Sequence, residues 1–203
     1  ETGCKIVASN SLDEYLIRDL MMQEAKIDTF GVGERLITAK SAPVFGGVYK
    51  LAAVEDEQGN IIPKIKISEN TAKITNPHYK KLYRFYDNES GKALADELCV
   101  YDETIDSTKP HTIFDPDAIW KTKTLTDYTA RELHVTVFKN GELVYKQPSL
   151  YEIRIYCAEQ LETLWDEVKR FENPHTYYVD LSKKLWDIKN ELLEKSKDGK
   201  DLK

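Results

Sequence analysis

No stretch of this 203-residue sequence approaches the roughly 18 consecutive apolar residues of a membrane-spanning helix, and no charged-then-apolar leader opens it. Nothing is therefore expected to cross a bilayer or to direct export, and the expected compartment is the cytoplasm. Cysteine is scarce. Cys4, Cys99 and Cys157 are odd in number, far apart and without a C-x-x-C, which disfavours a disulfide framework and a structural zinc site. Reduced, semi-buried thiols are expected instead. Histidine is equally sparse: His78, His111, His134 and His175 are isolated, H-E-x-x-H is missing, and no metal centre is expected. His175, just after Pro174, suits a capping role between helices. No serine stands in G-x-S-x-G, and no cysteine has a base nearby in sequence. An excess of positive charge is lacking too. The formal net charge of −6 argues against a nucleic-acid backbone or an anionic membrane surface as the main partner.

Hydrophobic and aromatic residues are present at ordinary globular levels, 41% and 10%, enough for one large domain or two small ones. The organising stretch is Lys5 to Thr38. Ile6-Val7-Ala8 reads as a short strand buried on both faces. Ser11 stands three residues before Glu14, the spacing of a capping box, and Leu12, Leu16 and Leu20 then mark one face of a helix. A second apolar run, Ile27 to Phe30, stops at Gly31-Val32-Gly33, after which Leu36 and Ile37 begin another helix. Strand, helix, strand, glycine turn, helix is half of a parallel α/β unit. A two-stranded parallel piece cannot bury its own faces, so the chain is expected to be the carboxy-terminal part of a longer polypeptide.

The chemistry of such a turn follows from geometry. Two glycines at a strand's carboxyl end let the backbone approach a ligand closely, and the first amides of the following helix point outward as an anion site. The same turn could equally serve only to redirect the chain. It is not the dinucleotide fingerprint, because Leu36 occupies the place of the third glycine. Ser9 and Asn10 end the preceding strand, where short polar side chains face a ligand crevice; the alternative is that Asn10 caps the helix. Glu55-Asp56-Glu57, Asp13-Glu14 and Asp102-Glu103 read as solvated acidic turns.

Further along, a strand is expected from Val48 to Val54, and the pattern turns to hairpins. Turns at Glu57–Asn60, Asp87–Gly91 and Lys139–Glu142 separate 51–54 from 61–67, 82–86 from 93–101, and 133–138 from 143–145. Residues 102–127 are the least regular, with Trp120, Ile113, Phe114 and Ile119 expected to plug them onto the hairpins. Ser149 and Glu152 make a second capping box. The helix they open is expected to run to Phe171, with Leu150, Ile153, Cys157, Leu161, Leu164, Val168 and Phe171 inward. Asp180 is expected to cap a last helix with Leu181, Leu185, Ile188 and Leu192 inward, antiparallel to the first. Residues 197–203 are read as a frayed polar tail.

At this point several blocks match something specific. A-S-N-S-L-D-E-Y at 8–15, I-D-T-F-G-V-G at 27–33, P-V-F-G-G-V-Y-K-L at 43–51 and K-R-F-E-N-P-H-x-Y-Y-V-D-L-S-x-K-L-W at 169–186 resemble nicotinate phosphoribosyltransferases, in the form common in Gram-positive bacteria. The resemblance implies an α/β fold: the last βα units of an irregular (β/α) barrel in 1–45, a hairpin-rich β region in 46–147, and a carboxy-terminal helical pair and tail in 148–203. It implies a homodimeric enzyme of NAD salvage that joins nicotinate to phosphoribosyl pyrophosphate, with Mg²⁺ and coupled ATP hydrolysis. Gly31, Val32, Gly33 and Glu34, with Ser9 and Asn10 at the mouth of the preceding strand, would then hold the phosphoribosyl donor. Glu34 departs from the pattern, since many members carry a hydroxyl-bearing Thr there. It is expected either to turn toward Arg35, leaving the amides to bind, or to handle Mg²⁺ or ribose hydroxyls. The family's phosphate-accepting histidine and the strand that grips ribose and base lie upstream of the matched blocks. No catalytic residue and no metal ligand is therefore assigned to this chain, which is expected to be inactive alone. A non-catalytic interaction domain and a nicotinamide or quinolinate phosphoribosyltransferase are the alternatives.

Overall fold

The computed structural model describes residues 3–44 and 46–197; the expected frayed tail, beyond Lys197, and Phe45 of the third matched block lie outside them. The chain divides into two compact units, Glu1–Tyr49 and Lys50–Lys203.

In the first unit, β1 (Val7–Ser9) and β2 (Thr29–Gly31) pair in parallel, with α1 (Glu14–Met22) between them and α2 (Glu34–Ile37) after the glycine turn. The parallel α/β half-unit is thus present. Its details differ from the sequence reading. The helix cap is Asp13, whose carboxylate accepts the Leu16 amide at 2.9 Å, and Ser11 instead bends the chain with φ +50°. A carboxylate competes well for this place because it accepts from the open amides and sits at the positive end of the helix dipole. The strands are also not buried on both faces: Val7 and Ser9 are exposed and Ala8 is half-buried. Two strands leave each sheet face without a layer to cover it.

The second unit begins with β3 (Ala53–Glu55) and β4 (Ile61–Pro63), an antiparallel pair. The Asp56 carboxylate draws their turn together by accepting the Gln58 and Asn60 amides. The central strands are β5 (Lys80–Asp87) and β6 (Ala93–Val100). They are followed by the hairpin β7 (His111–Asp115) and β8 (Ala118–Leu125), by β9 (Tyr128–Glu132), and by the small hairpin β10 (Phe138–Lys139) and β11 (Glu142–Leu143). Then come α3 (Leu150–Glu162), β12 (Val179–Leu181) and α4 (Lys183–Lys197). The main sheet has the order β12-β6-β5-β9, antiparallel except where β12 runs parallel to β6. Tyr83, Phe85, Ala95 and Cys99 pack with Ile113, Leu125 and Tyr128 into one core, while Val100, Leu181 and Leu185 form another with α4. Each large apolar side chain so enclosed contributes about 1.5–3 kcal/mol.

Several expectations change here. All three hairpins exist, but the first ends at Pro63, so Ile65 and Ile67 lie outside any strand, and the strand expected from Val48 starts only at Ala53. The irregular 102–127 region contains the β7–β8 hairpin. Ile113 is buried as expected, whereas Ile119 and Trp120 are exposed rather than plugging. The Ser149–Glu152 capping box forms, yet α3 ends at Glu162, and Leu150, Ile153, Cys157 and Leu161 are exposed. Apolar side chains stand all round α3, since Tyr151, Ile155 and Tyr156 are exposed as well. Asp180 is a strand residue, and Ser182 caps α4 by accepting the Leu185 amide. The expected helical pair is therefore interrupted by β12, and α4 packs on β6. Cys99 is buried, but Cys4 and Cys157 are exposed rather than semi-buried.

Candidate functional site

Residues singled out by sequence come together at one end of the small parallel sheet. Ser9 and Gly31 are register partners, the last residues of β1 and β2. The approach is tight: a Cβ built on Gly31 would lie 3.2 Å from Ser9 Cβ. This is one place in the chain where the lack of a side chain is a packing requirement. Asn10, with φ +88°, turns the chain away from β1 and does not cap α1. Val32 is half-buried, and Gly33 occupies the cap position of α2 with open space around it. Among the described residues, no protein acceptor meets the Gly33 or Glu34 amide, whereas the Leu36 and Ile37 amides bond to the Gly33 carbonyl.

Glu34 is exposed in the first turn of α2. The Arg35 guanidinium bonds to the Asp13 carboxylate, so the cap of α1 is tied to the helix after the glycine turn. Asp28 adds a second tie by accepting the Ile6 amide at 2.7 Å. Sequence reading missed this clamp. Its only signal was an acid at 13 and a base at 35, a separation that says nothing about contact until the two strands are aligned. The resulting bend offers main-chain N–H groups and short polar side chains, with no acid–base pair. Unpaired amides of this kind suit an anion, and the exposed Glu34 carboxylate beside them opposes one.

The second unit carries the buried charge. Arg84 grips Asp96 through two bonds of 2.8 and 2.9 Å, and the Tyr177 hydroxyl donates to the same carboxylate at 2.8 Å. The Asp96 bond holds the Arg84 guanidinium firmly protonated. Burial, followed by the bond to Asp96, raises the Tyr177 phenol. The His111 ring meets the buried Glu97 carboxylate at 2.8 Å and stacks on Phe85. Burial and the adjacent Glu97 push the Cys99 thiol well up, so it is no ready nucleophile. The His175 amide bonds to the Glu167 carbonyl, and no helix–helix junction exists for it to cap. Among the described residues, no three His, Cys, Asp or Glu side chains converge as a metal site, and no helix is long and apolar enough to cross a membrane.

The fold defines a class first. The structure aligns with a crystal structure of human nicotinic acid phosphoribosyltransferase at a TM-score of 0.69 and 24% identity, over 93% of this chain and 33% of that one, which speaks for shared fold. Sequence then gives the family. Residues 79–189 match the nicotinate phosphoribosyltransferase C-terminal domain, and the chain belongs to that family. It is 39% identical over 196 residues to nicotinate phosphoribosyltransferase of Bacillus subtilis, covering 97% of this chain and 40% of that enzyme. The enzyme of the same name from Dictyostelium discoideum is 34% identical over 206 residues, with 98% and 34% covered. The chain thus spans well under half the length of these relatives.

Proposed function

We propose that this chain supplies the carboxy-terminal portion of a nicotinate phosphoribosyltransferase of the Gram-positive type. In this reading residues 1–45 are the last βα units of its barrel, 46–147 a flanking β region and 148–203 the carboxy-terminal helical region. The enzyme would join nicotinate to phosphoribosyl pyrophosphate, release pyrophosphate and hydrolyse ATP, working in the cytoplasm as a homodimer in NAD salvage. The observation that carries the reading is the 39% identity to the Bacillus subtilis enzyme, which extends over 97% of this chain and so takes in both units.

Within that reaction the chain's part is electrostatic. Displacement at the anomeric carbon passes through an oxocarbenium-like state, and positioned phosphates matter more there than a protein nucleophile. The open amides of Gly33 and Glu34, with Gly31 and Val32 before them, hold a phosphate of the donor, while Ser9 and Asn10 line the mouth of the neighbouring strand. Among the described residues, no group of three His, Cys, Asp or Glu side chains stands ready to hold Mg²⁺. The exposed faces of β1 and β2 fit the same reading, since barrel strands are covered by neighbouring βα units.

The test is complementation. Nicotinate-dependent pyrophosphate release is measured for this chain alone, and for this chain mixed with the part of the Bacillus subtilis enzyme outside the matched region. Release only from the mixture is expected. Stable association without release favours a scaffold role instead, and equal release with nicotinamide or quinolinate in place of nicotinate assigns a different base.

A further inference from the structure

We propose that the cleft between the β7–β8 hairpin and residues 165–178 binds a small aromatic cation, a ring bearing an amidine or amine, through the Asp180 carboxylate. This site lies wholly in the second unit and does not depend on the phosphate reading. The cleft encloses about 530 Å³, within the range of small-molecule sites, and its walls are mostly carbon.

Asp180 sits in the floor of the cleft and is only 5% exposed. Among the described residues, neither a hydrogen bond nor an ion pair reaches its carboxylate, and since no fully buried side-chain oxygen lacks a partner, its oxygens keep contact with solvent. Its charged neighbours do not help. Glu97, its partner across β6, is engaged by His111, and Asp115 accepts the Asp117 and Ala118 amides with Lys121 at 3.5 Å. Burial first, then Asp115 and Glu97, push the Asp180 carboxyl up to about 6. Asp115 and Glu167 line the cleft with Asp180, and so do Lys121 and Lys123; Lys121 already meets Asp115, which leaves the buried Asp180 carboxylate as a charge without a donor. A ligand N–H with positive charge supplies both needs.

The aromatic wall selects the rest of the ligand. Trp165 donates its indole N–H to the Ala93 carbonyl at 3.1 Å, and Tyr177 gives its hydroxyl to Asp96. With their polar ends tied, these rings present carbon surface to the cleft. Tyr178 and Trp165 line the cleft and are 48% and 41% exposed, which leaves ring surface for a flat, cationic partner.

The experiment titrates benzamidine into the full chain, followed by tryptophan fluorescence, with benzoate as the ring of opposite charge. Saturable millimolar or tighter binding of benzamidine but not benzoate is expected. Asp180→Asn should weaken it about tenfold or more and Tyr178→Ala by a few-fold. No saturation by about 10 mM, equal binding of benzoate, or undiminished binding to Asp180→Asn overturns the proposal. Should Asp180→Asn fail to fold, the contrast between benzamidine and benzoate on the unaltered chain decides.

Discussion

Ile6, Val7, Leu36 and Ile37 of the first unit stand 55, 62, 68 and 84% exposed, whereas Phe85, Ala95, Val100 and Leu185 of the second are wholly shielded. Both sets are apolar, but Ile6 precedes β1 and α2 is four residues long, whereas β5 and β6 have eight residues each. What separates them further is layering. In the second unit a four-stranded sheet is covered by the β7–β8 hairpin and by α4, so alternate residues of β5 and β6 find partners. In the first, two strands and two helices are held by local devices: the Asp13 cap, the Asp13–Arg35 pair and the Asp28–Ile6 bond. An apolar pattern reports a demand for cover, and only the topology shows whether the demand is met.

The contrast breaks most plainly by cutting one apolar side chain from each unit. Phe85→Ala should cost about 3–5 kcal/mol, since it removes a wholly buried ring touching His111 and Tyr128. Ile37→Ala should stay within about 0.5 kcal/mol. Urea unfolding of the two variants measures both, and comparable losses would show that Ile37 is covered in solution.

Ion pairs give the same contrast at smaller scale. Arg84→Met strands the Asp96 carboxylate, only 6% exposed, with the Tyr177 hydroxyl as its remaining side-chain partner; a loss of about 2–4 kcal/mol is expected. Adding Asp96→Asn should restore part of it. Arg35→Met breaks a pair whose members are 37% and 17% exposed, and about 1 kcal/mol or less is expected. Thermal unfolding of the three variants ranks them. A larger loss at Arg35 would make the clamp, and not the sheet, the stronger anchor.

Asp180 sharpens the comparison through pH. Its folded-state pKa of about 6 lies above the ordinary 3.8, so the folded chain holds this proton more tightly than the unfolded chain does. The group therefore costs nothing below about pH 4, its cost grows as pH rises through 6, and it is constant above. With solvent entering the cleft, about 1–2 kcal/mol is a fair magnitude. Asp180→Asn should accordingly stabilise the chain at pH 7 by about that amount and leave it unchanged near pH 4. Denaturant midpoints at the two values check the sign.

How much of this was legible beforehand depended on whether a signal was local. Asn140-Gly141, the Ser149–Glu152 box and the glycine turn are each written within a few residues, and each formed. Most of what failed depended on distant partners; the local exception is the Ser11–Glu14 spacing, where Asp13 takes the cap. Leu150, Ile153 and Leu161 stand exposed on a helix that is apolar on several sides, and α3 stops nine residues before Phe171. β12 is three residues long and stands only because Val179–Leu181 lies in register with Asp96, Glu97 and Leu98. No window around 180 contains that information, which is why Asp180 read as a helix cap. The Asp13–Arg35 clamp was hidden for the same reason.

The smallest effects bear on the glycine bend itself. Gly31→Ala places a methyl 3.2 Å from Ser9 Cβ, so one strand must shift by a few tenths of an ångström; about 1 kcal/mol is expected. Ser9→Gly in the same chain should remove the clash and most of the loss. Gly33→Ala meets nothing within 4 Å, and its steric cost should be within about 0.5 kcal/mol. On the proposed reading the two glycines do different work: one lets the strands close, while the other would keep the amides of the bend open to a ligand. Pyrophosphate titration followed by amide NMR separates these roles. Gly33→Ala should weaken any anion seated on the 33–34 amides by several-fold while leaving stability intact. If affinity follows stability instead, falling in Gly31→Ala and unchanged in Gly33→Ala, the bend is a packing device and the donor's phosphate lies elsewhere.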